Sequence, residues 1–208
     1  MKEDLINQYQ ELQLNYVLFE KYIQNIVENL LLEEGIKYQN LTGRVKNLKS
    51  LKGKLERTST STIKELDGNI KKMYDLCGLR IVLYDNEQLR KIIELIENKF
   101  KVINFKNKSF DYNSNNITIE IESGVFKNYR CEIQLVTVMT HNLIEIGHDI
   151  FYKDIDKLKE KDKKEYDDLK NEYKKCLDEV YRLETRIDIL KKRKNNGCVT
   201  MIRMNFPD

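Results

Sequence analysis

The sequence predicts an α+β protein in which a mixed sheet of about five strands is flanked by helices, with a long helix towards each end of the chain. Three observations carry this. Apolar residues recur at steps of four and three near the N-terminus, the same pattern returns in the C-terminal third, and the stretch between them holds short β-branched runs with period two.

The first helix is read from Leu5, Tyr9, Leu12, Tyr16, Phe19, Ile23, Ile26 and Leu30, one seam within residues 1–34, and Gly35 stands where a helix end favours a left-handed residue. Leu79–Tyr84 then reads as a strand, Glu87–Phe100 as a helix and Val102–Phe105 as a second strand. Ile117–Glu122 and Tyr129–Leu135 both alternate, and the short Ser123–Asn128 connection makes them an antiparallel hairpin. Alternation sends Ile117, Ile119, Ile121, Cys131, Ile133 and Leu135 to the core. It puts Glu120, Glu122, Arg130, Glu132 and Gln134 on the other face, which is either solvated or the floor of a cation-dependent site. A helix follows Thr137. The last seam runs Tyr166, Leu169, Tyr173, Cys176, Val180, Leu183, Ile187, Leu190 and stops near Asn195-Asn196-Gly197. Both seams need cover. The two helices either pack on each other and on the middle of the chain, or they bring copies of the chain together.

With 208 residues, 40% hydrophobic and 34% charged, the chain suffices for one core of ordinary size with helical extensions, and two full domains are not expected. Lys+Arg number 37 against 34 Asp+Glu, so a net charge of +3 argues against a basic coat for DNA and against a polyacidic tail. Any basic site has to be local. The N-terminus opens straight into the amphipathic pattern without signal-peptide segments, and no window approaches the roughly 18 apolar residues of a membrane span. The expectation is a soluble, cytoplasmic protein without a membrane partner. Cys77, Cys131, Cys176 and Cys198 form no C-x-x-C pair, so free thiols are expected in place of disulfides or structural zinc.

Four stretches hold residues suited to chemistry. Gly43–Arg57 carries Arg44, Lys46, Lys49, Lys52, Lys54 and Arg57 against one acid, Glu56, at what reads as a turn and the following helix. Such a run suits a triphosphate, with Arg forks on phosphate oxygens and Lys as a point charge. Neither a Gly-x-x-x-x-Gly-Lys-[Ser/Thr] loop nor a Gly-x-Gly-x-x-Gly turn is present, so a P-loop or dinucleotide fold is not supported. Asp75 stands at the entry to the Leu79 strand, with Gly78 and Arg80 behind it, where a carboxylate suits Mg²⁺ or a turn. Glu132, within Cys131–Gln134, offers a second carboxylate for metal or for a hydroxyl proton. His141, Glu145 and His148 share one helical face, but the chain has no third His, and structural hydrogen bonding is the expected role.

In this order and spacing the four stretches resemble the RelA/SpoT family of (p)ppGpp synthetases, especially its small single-domain members. The resemblance rests on Gly43, Arg44, Val45, Lys46, Ser50, Lys54 and Arg57; on Asp75–Ile81; on Glu132-Ile133-Gln134; and on Glu145, His148, Tyr152 and Lys153. It covers roughly residues 35–155 and implies a nucleotidyltransferase-like synthetase domain there, between an N-terminal helix (1–34) and a C-terminal helical extension (156–208). It implies transfer of the β,γ-pyrophosphate of ATP to the 3′-hydroxyl of GDP or GTP. Arg44, Lys46, Ser50, Lys54 and Arg57 would hold ATP, Asp75 would bind Mg²⁺, and Glu132 would bind the metal or activate the hydroxyl. Tyr112, Ser114, Gln134, His148 and Lys153 would meet the acceptor. A homo-oligomer, a tetramer in the small relatives, is also implied.

The sequence departs from the family on the acceptor side. Asn113 and Asn116 replace a basic residue and a His, Val136 an Arg, Leu143 a Trp, and Gly147 a frequent Glu. These departures admit two further readings. One moves the same group to the tRNA 3′ end, with phosphate contacts from Lys101, Lys106, Lys108 and Lys127. The other is a catalytically weakened nucleotide-binding or oligomerising module. His148-Asp149 matches a hydrolase "HD" pair only by coincidence, since no other His cluster accompanies it.

Overall fold

The computed structural model describes residues 2–108, 114–151 and 160–203, with backbone alone over 106–108, 114, 148–151, 160 and 195–203. Helix α1 (Lys2–Glu33) buries Leu5, Tyr9, Tyr16, Phe19, Ile23, Val27 and Leu31. The expected seam is followed as far as Ile23; Val27 and Leu31 then replace Ile26 and Leu30. A seam stepping by 3.5 residues drifts about 20° per heptad around a straight helix, and three heptads bring the next residue to the front. Ile36 N donates to Leu31 O at 2.8 Å and Gly35 N to Leu32 O at 3.2 Å, while Gly35 has φ +61°; this left-handed cap ends the helix where the sequence places it.

Five strands follow: β1 (Tyr38–Val45), β2 (Cys77–Leu83), β3 (Lys101–Lys108), β4 (Ser114–Glu120) and β5 (Arg130–Thr137). Their spatial order is β1-β2-β5-β4-β3, with β2 and β5 parallel and every other pair antiparallel. The mixed five-stranded sheet and the β4–β5 hairpin agree with the sequence. Strand β1 does not, because Gly43 and Arg44 lie inside a strand and not at a turn. Only Tyr38, Leu41 and Val45 of this edge strand are half-buried, and a register shift between Tyr38 and Asn40 breaks the alternation. Strand β4 begins earlier than the apolar pattern indicates, since Asn115 and Asn116 pair with Leu135 and Gln134.

Helices α2 (Leu48–Arg57) and α3 (Thr60–Glu65) join β1 to β2, and helices α1 and α4 (Asn86–Lys99) cover one face of the sheet, where Leu79, Ile81, Ile117, Ile119, Cys131, Ile133 and Leu135 are buried. Register places Thr42 and Arg44, Gly78 and Arg80, Glu132 and Gln134, and Asn116 and Thr118 on the opposite face. That face is not simply solvated. Asn116 and Thr118 are buried, and Glu120 pairs with Arg130 and Lys101, each at 2.9 Å.

Helix α5 (Val138–Phe151) leads from β5, and α6 (Lys163–Arg203) runs on past Gly197, where the sequence predicts a stop. The expected seam of α6 is also corrected. Leu169, Leu183, Ile187 and Leu190 are exposed and Cys176 is open, whereas Leu177, Glu184 and Asp188 face inward. Thr137 and Thr140 donate to Glu184, and Arg90 of α4 pairs with Asp188 at 3.4 Å. Polar partners on the body therefore select a polar face of the helix. Among the described residues, Leu169, Leu183, Ile187 and Leu190 of its apolar stripe stay exposed, while Tyr166, Tyr173 and Val180 are half-buried. Among the described residues no helix is long and apolar enough to cross a membrane, and Cys77, Cys131 and Cys176 are free thiols.

Candidate active site

Helix α2 (Leu48–Arg57) starts from Asn47, whose side chain accepts from Ser50 N at 2.8 Å. Leu51 and Leu55 anchor it in the core. Its opposite face, with Ser50, Gly53, Lys54 and Arg57, turns with Lys46 and Lys49 towards Asp75 around a cleft of about 550 Å³. Asp75 is the hub of that cleft. Its Oδ2 meets Lys54 Nζ at 2.6 Å and Lys46 Nζ at 3.2 Å, while its Oδ1 is buried without a partner among the described residues. Burial alone would push the carboxyl up; Lys54 first, and Lys46 with it, override burial and hold it below the usual carboxylate range.

A second cavity of about 330 Å³ opens beside it on the same sheet face, lined by Thr42, Gly43, Arg44, Gly78, Leu79, Arg80, Gln134 and Glu145. Arg44 lies across Gly78, where an added Cβ would stand 3.3 Å from Arg44 Nε, so a glycine suits this close approach. Arg80 links the wall of the cavity. It donates to Gln134 Oε1 at 3.2 Å and to Glu145 Oε1 at 2.5 Å, and the Gln134 amide donates to Glu132 Oε2 at 3.1 Å. Register sets Glu132 directly beside Gly78 and Thr118.

The structure thus brings Lys46, Ser50, Lys54, Arg57 and Asp75 around one cleft and places Arg44, Gln134 and Arg80 around its neighbour. Lys52 is exposed and lines neither. Ser114 is placed only as the first residue of β4, and His148 only as part of α5. Tyr112, Asn113 and Lys153 lie outside the described residues. His141 Nδ1 is buried and without a partner among the described residues; burial, then Arg80, pushes the pKa of this histidine down against the pull of Glu145. Arg80 is not among the expected site residues; it stands on the polar face of β2 in register with Gln134, which is a legible signal. Asn116, which stands where the family has His, sits in register with Gln134 on β4, and its Oδ1 is buried without a partner among the described residues.

A mixed sheet flanked by long helices, with a cationic cleft around Asp75 built where β1, α2 and the entry to β2 meet, defines a single-core α+β protein. Residues 43–157 match the family model described as a region found in RelA / SpoT proteins. The chain belongs to the RelA/SpoT family. No curated protein matches it by sequence. Among solved structures, small alarmone synthetase 2 from Bacillus subtilis shares the fold with a TM-score of 0.70 at 17% identity, over 89% of this chain and 98% of that one. Small alarmone synthetase 1 from Bacillus subtilis does so with a TM-score of 0.69 at 19% identity, over 91% and 99%. The structure of that synthetase bound to its product pppGpp superposes with a TM-score of 0.67 at 21% identity, over 89% and 97%.

Proposed function

We propose that the protein is a pyrophosphokinase that moves the β,γ-pyrophosphate of ATP to the ribose 3′-hydroxyl of GDP or GTP, forming a (p)ppGpp alarmone. The observation that carries this is the Asp75 hub, a carboxylate with one oxygen held by two lysines and the other buried without a partner among the described residues, inside a cleft of cations. Small alarmone synthetase 1 from Bacillus subtilis bound to pppGpp, and bound to AMPCPP, supports guanosine and adenosine nucleotides as ligands.

In this reading Lys46, Ser50, Lys54 and Arg57 hold the ATP phosphates, and Arg44 meets the donor from the adjacent cavity, where the nucleoside lies. Asp75 and Glu132 would hold Mg²⁺. The donor set fits a hard cation that binds through one or two carboxylates and takes its other oxygens from phosphates and water. Among the described residues no group of three metal-binding side chains gathers into a protein-only cage. Bound there, Mg²⁺ would supply charge neutralisation on the transferred group. Glu132, with Oε2 held by the Gln134 amide, accepts the 3′-hydroxyl proton. The freed 3′-oxygen bonds to the β-phosphorus, the Pα–O–Pβ bridge breaks, and AMP leaves. Positioning and cationic neutralisation account for most of the work in such a transfer. Tyr112, Ser114, Gln134, His148 and Lys153 belong to the acceptor side, and the exposed stripe of α6 supports assembly of copies of the chain.

The buried Asn116, standing where the family has His, favours a second acceptor, the tRNA 3′ end. One assay separates the readings: labelled ATP and Mg²⁺ with GDP, GTP, GMP and total tRNA in parallel. Label on a guanine nucleotide, lost in Glu132→Gln, supports the proposal. Label on tRNA transfers it to the second reading, and no product at high enzyme concentration overturns both.

A further inference from the structure

Two neighbouring residues of α1, outside the stretch that matches the family, grip the backbone on either side of the donor cleft. The Tyr9 hydroxyl donates to the Lys46 carbonyl. The Lys46 N–H in turn donates to the Leu76 carbonyl at 2.9 Å, so both polar groups of Lys46 are tied down where β1 hands over to α2. Gln8, one position earlier, braces the segment that leads into Asp75. Its amide donates to the Gly68 carbonyl at 2.7 Å, and its Oε1 accepts from Ile70 N at 3.1 Å. The Tyr9 side chain is fully buried, and burial, with Cys77 and Asp75 nearby, pushes its hydroxyl up to about 12, so it remains a donor at neutral pH.

We infer that Tyr9 is a positioning residue for Lys46, and that Gln8 does the same for the Asp75 segment, so that the start of α1 sets the geometry of triphosphate binding. The inference rests on the cleft's being the donor site. A lysine reaches its target on a long flexible stem, and fixing the root of that stem decides how often the ammonium lies within reach. Nothing in the side chains of Tyr9 or Gln8 needs to touch the ligand for this.

The test is Tyr9→Phe in the full chain, with binding of ATP·Mg²⁺ and of inorganic tripolyphosphate measured by calorimetry, kinetics where transfer is observed, and thermal unfolding alongside. One lost hydrogen bond translates into about a 3- to 10-fold weaker ATP affinity, with KM for ATP raised by a similar factor and KM for the acceptor unchanged. In a Lys46→Ala background the same substitution adds less than about twofold, because the group it positions is gone. A lowered melting temperature with affinity intact below it, as a role in stability alone predicts, overturns the inference, and so does an affinity loss that multiplies the Lys46→Ala loss in full. Gln8→Ala, read for non-additivity with Asp75→Asn, gives a second arm if Tyr9→Phe folds poorly. A wild-type protein that binds triphosphate but transfers nothing sinks the proposed activity and leaves these binding arms decisive. A wild-type protein that binds neither ligand removes the donor site, and the inference falls with it.

Discussion

Replacing Asp75 by Asn removes one negative charge from between two lysines, and the consequences can be worked in sign and size. Lys54 and Lys46 lie 2.6 Å and 3.2 Å from the same oxygen, with only 19% of the Asp75 side chain and 15% of Lys46 exposed. At an effective dielectric near 20, unit charges about 4 Å apart interact by about 4 kcal/mol, much of it offset by desolvation. Breaking a buried pair costs about 3–5 kcal/mol and an exposed one under about 1 kcal/mol. The cleft lies between these limits, so a loss of about 2–3 kcal/mol is expected, or roughly 4–12 °C in Tm for a chain of this length. The pH dependence follows from the lowered pKa. A carboxyl held down by lysines contributes stability that is present above its unfolded value near 3.9 and is lost as pH falls through its folded value. The gap between variant and wild type therefore begins to narrow below about pH 4 and goes on shrinking as pH falls through the lowered folded value. Tripolyphosphate supplies the missing negative charge and should raise the Tm of Asp75→Asn by more than that of wild type. Thermal melts at neutral and acid pH, with and without tripolyphosphate, decide the matter. Equal stability at neutral pH, a gap that does not shrink as pH falls below about 4, or equal stabilisation by tripolyphosphate would refute the reasoning.

Three further outcomes are expected. A Cβ on Gly43 would fall 1.5 Å from Glu20 Oε1, so Gly43→Ala should cost about 1–3 kcal/mol in urea unfolding, and Glu20→Ala in the same chain should recover part of it. Burial, with Asp188 adding to it against the Thr137 and Thr140 hydrogen bonds, raises the Glu184 pKa. The stability this carboxyl gives is complete at low pH and is lost as pH rises through its folded value, so Glu184→Gln should stabilise the protein at neutral pH, with a gain that shrinks towards about pH 4. In the native protein Cys176 should react quickly with Ellman's reagent while Cys77 and Cys131 react only on unfolding. Both are buried with Sγ atoms 3.5 Å apart, and the hydrogen bond from Cys77 together with burial pushes the Cys131 thiol up.

The elements legible in the sequence are those whose own burial writes their pattern. The β5 alternation of Cys131, Ile133 and Leu135 and the α1 seam through Tyr16, Phe19 and Ile23 meet the core directly. Strand β1 is hidden because an edge strand buries little and its residues serve a cleft: Thr42 and Arg44 face a cavity, and Gly43 is small to make room for Glu20. The α6 face is hidden for another reason. Glu184 and Asp188 look like solvent-facing residues until Thr137, Thr140 and Arg90 are placed opposite them, and those partners lie more than 40 positions away. The cationic cleft was visible as a cluster of charge, but which members of the run share a cavity was not. Helical spacing groups Ser50, Gly53, Lys54 and Arg57 once α2 is known to begin at Leu48, and Arg44 parts from them because it belongs to a strand.

The central pairing of β2 with β5 also bears on how the protein comes into being. Cys77 and Cys131, opposite each other in register, are 54 positions apart, and the antiparallel edge pair of β1 with β2 needs only the first part of the chain. During synthesis the lysine-rich helix α2 and Asp75 emerge well before Glu132, and long-range parallel pairing is the slower kind to form. A nascent chain would therefore carry the anion-attracting half of the cleft before the strand bearing Glu132 is in place. Order of emergence makes the last central strand the step that completes the site.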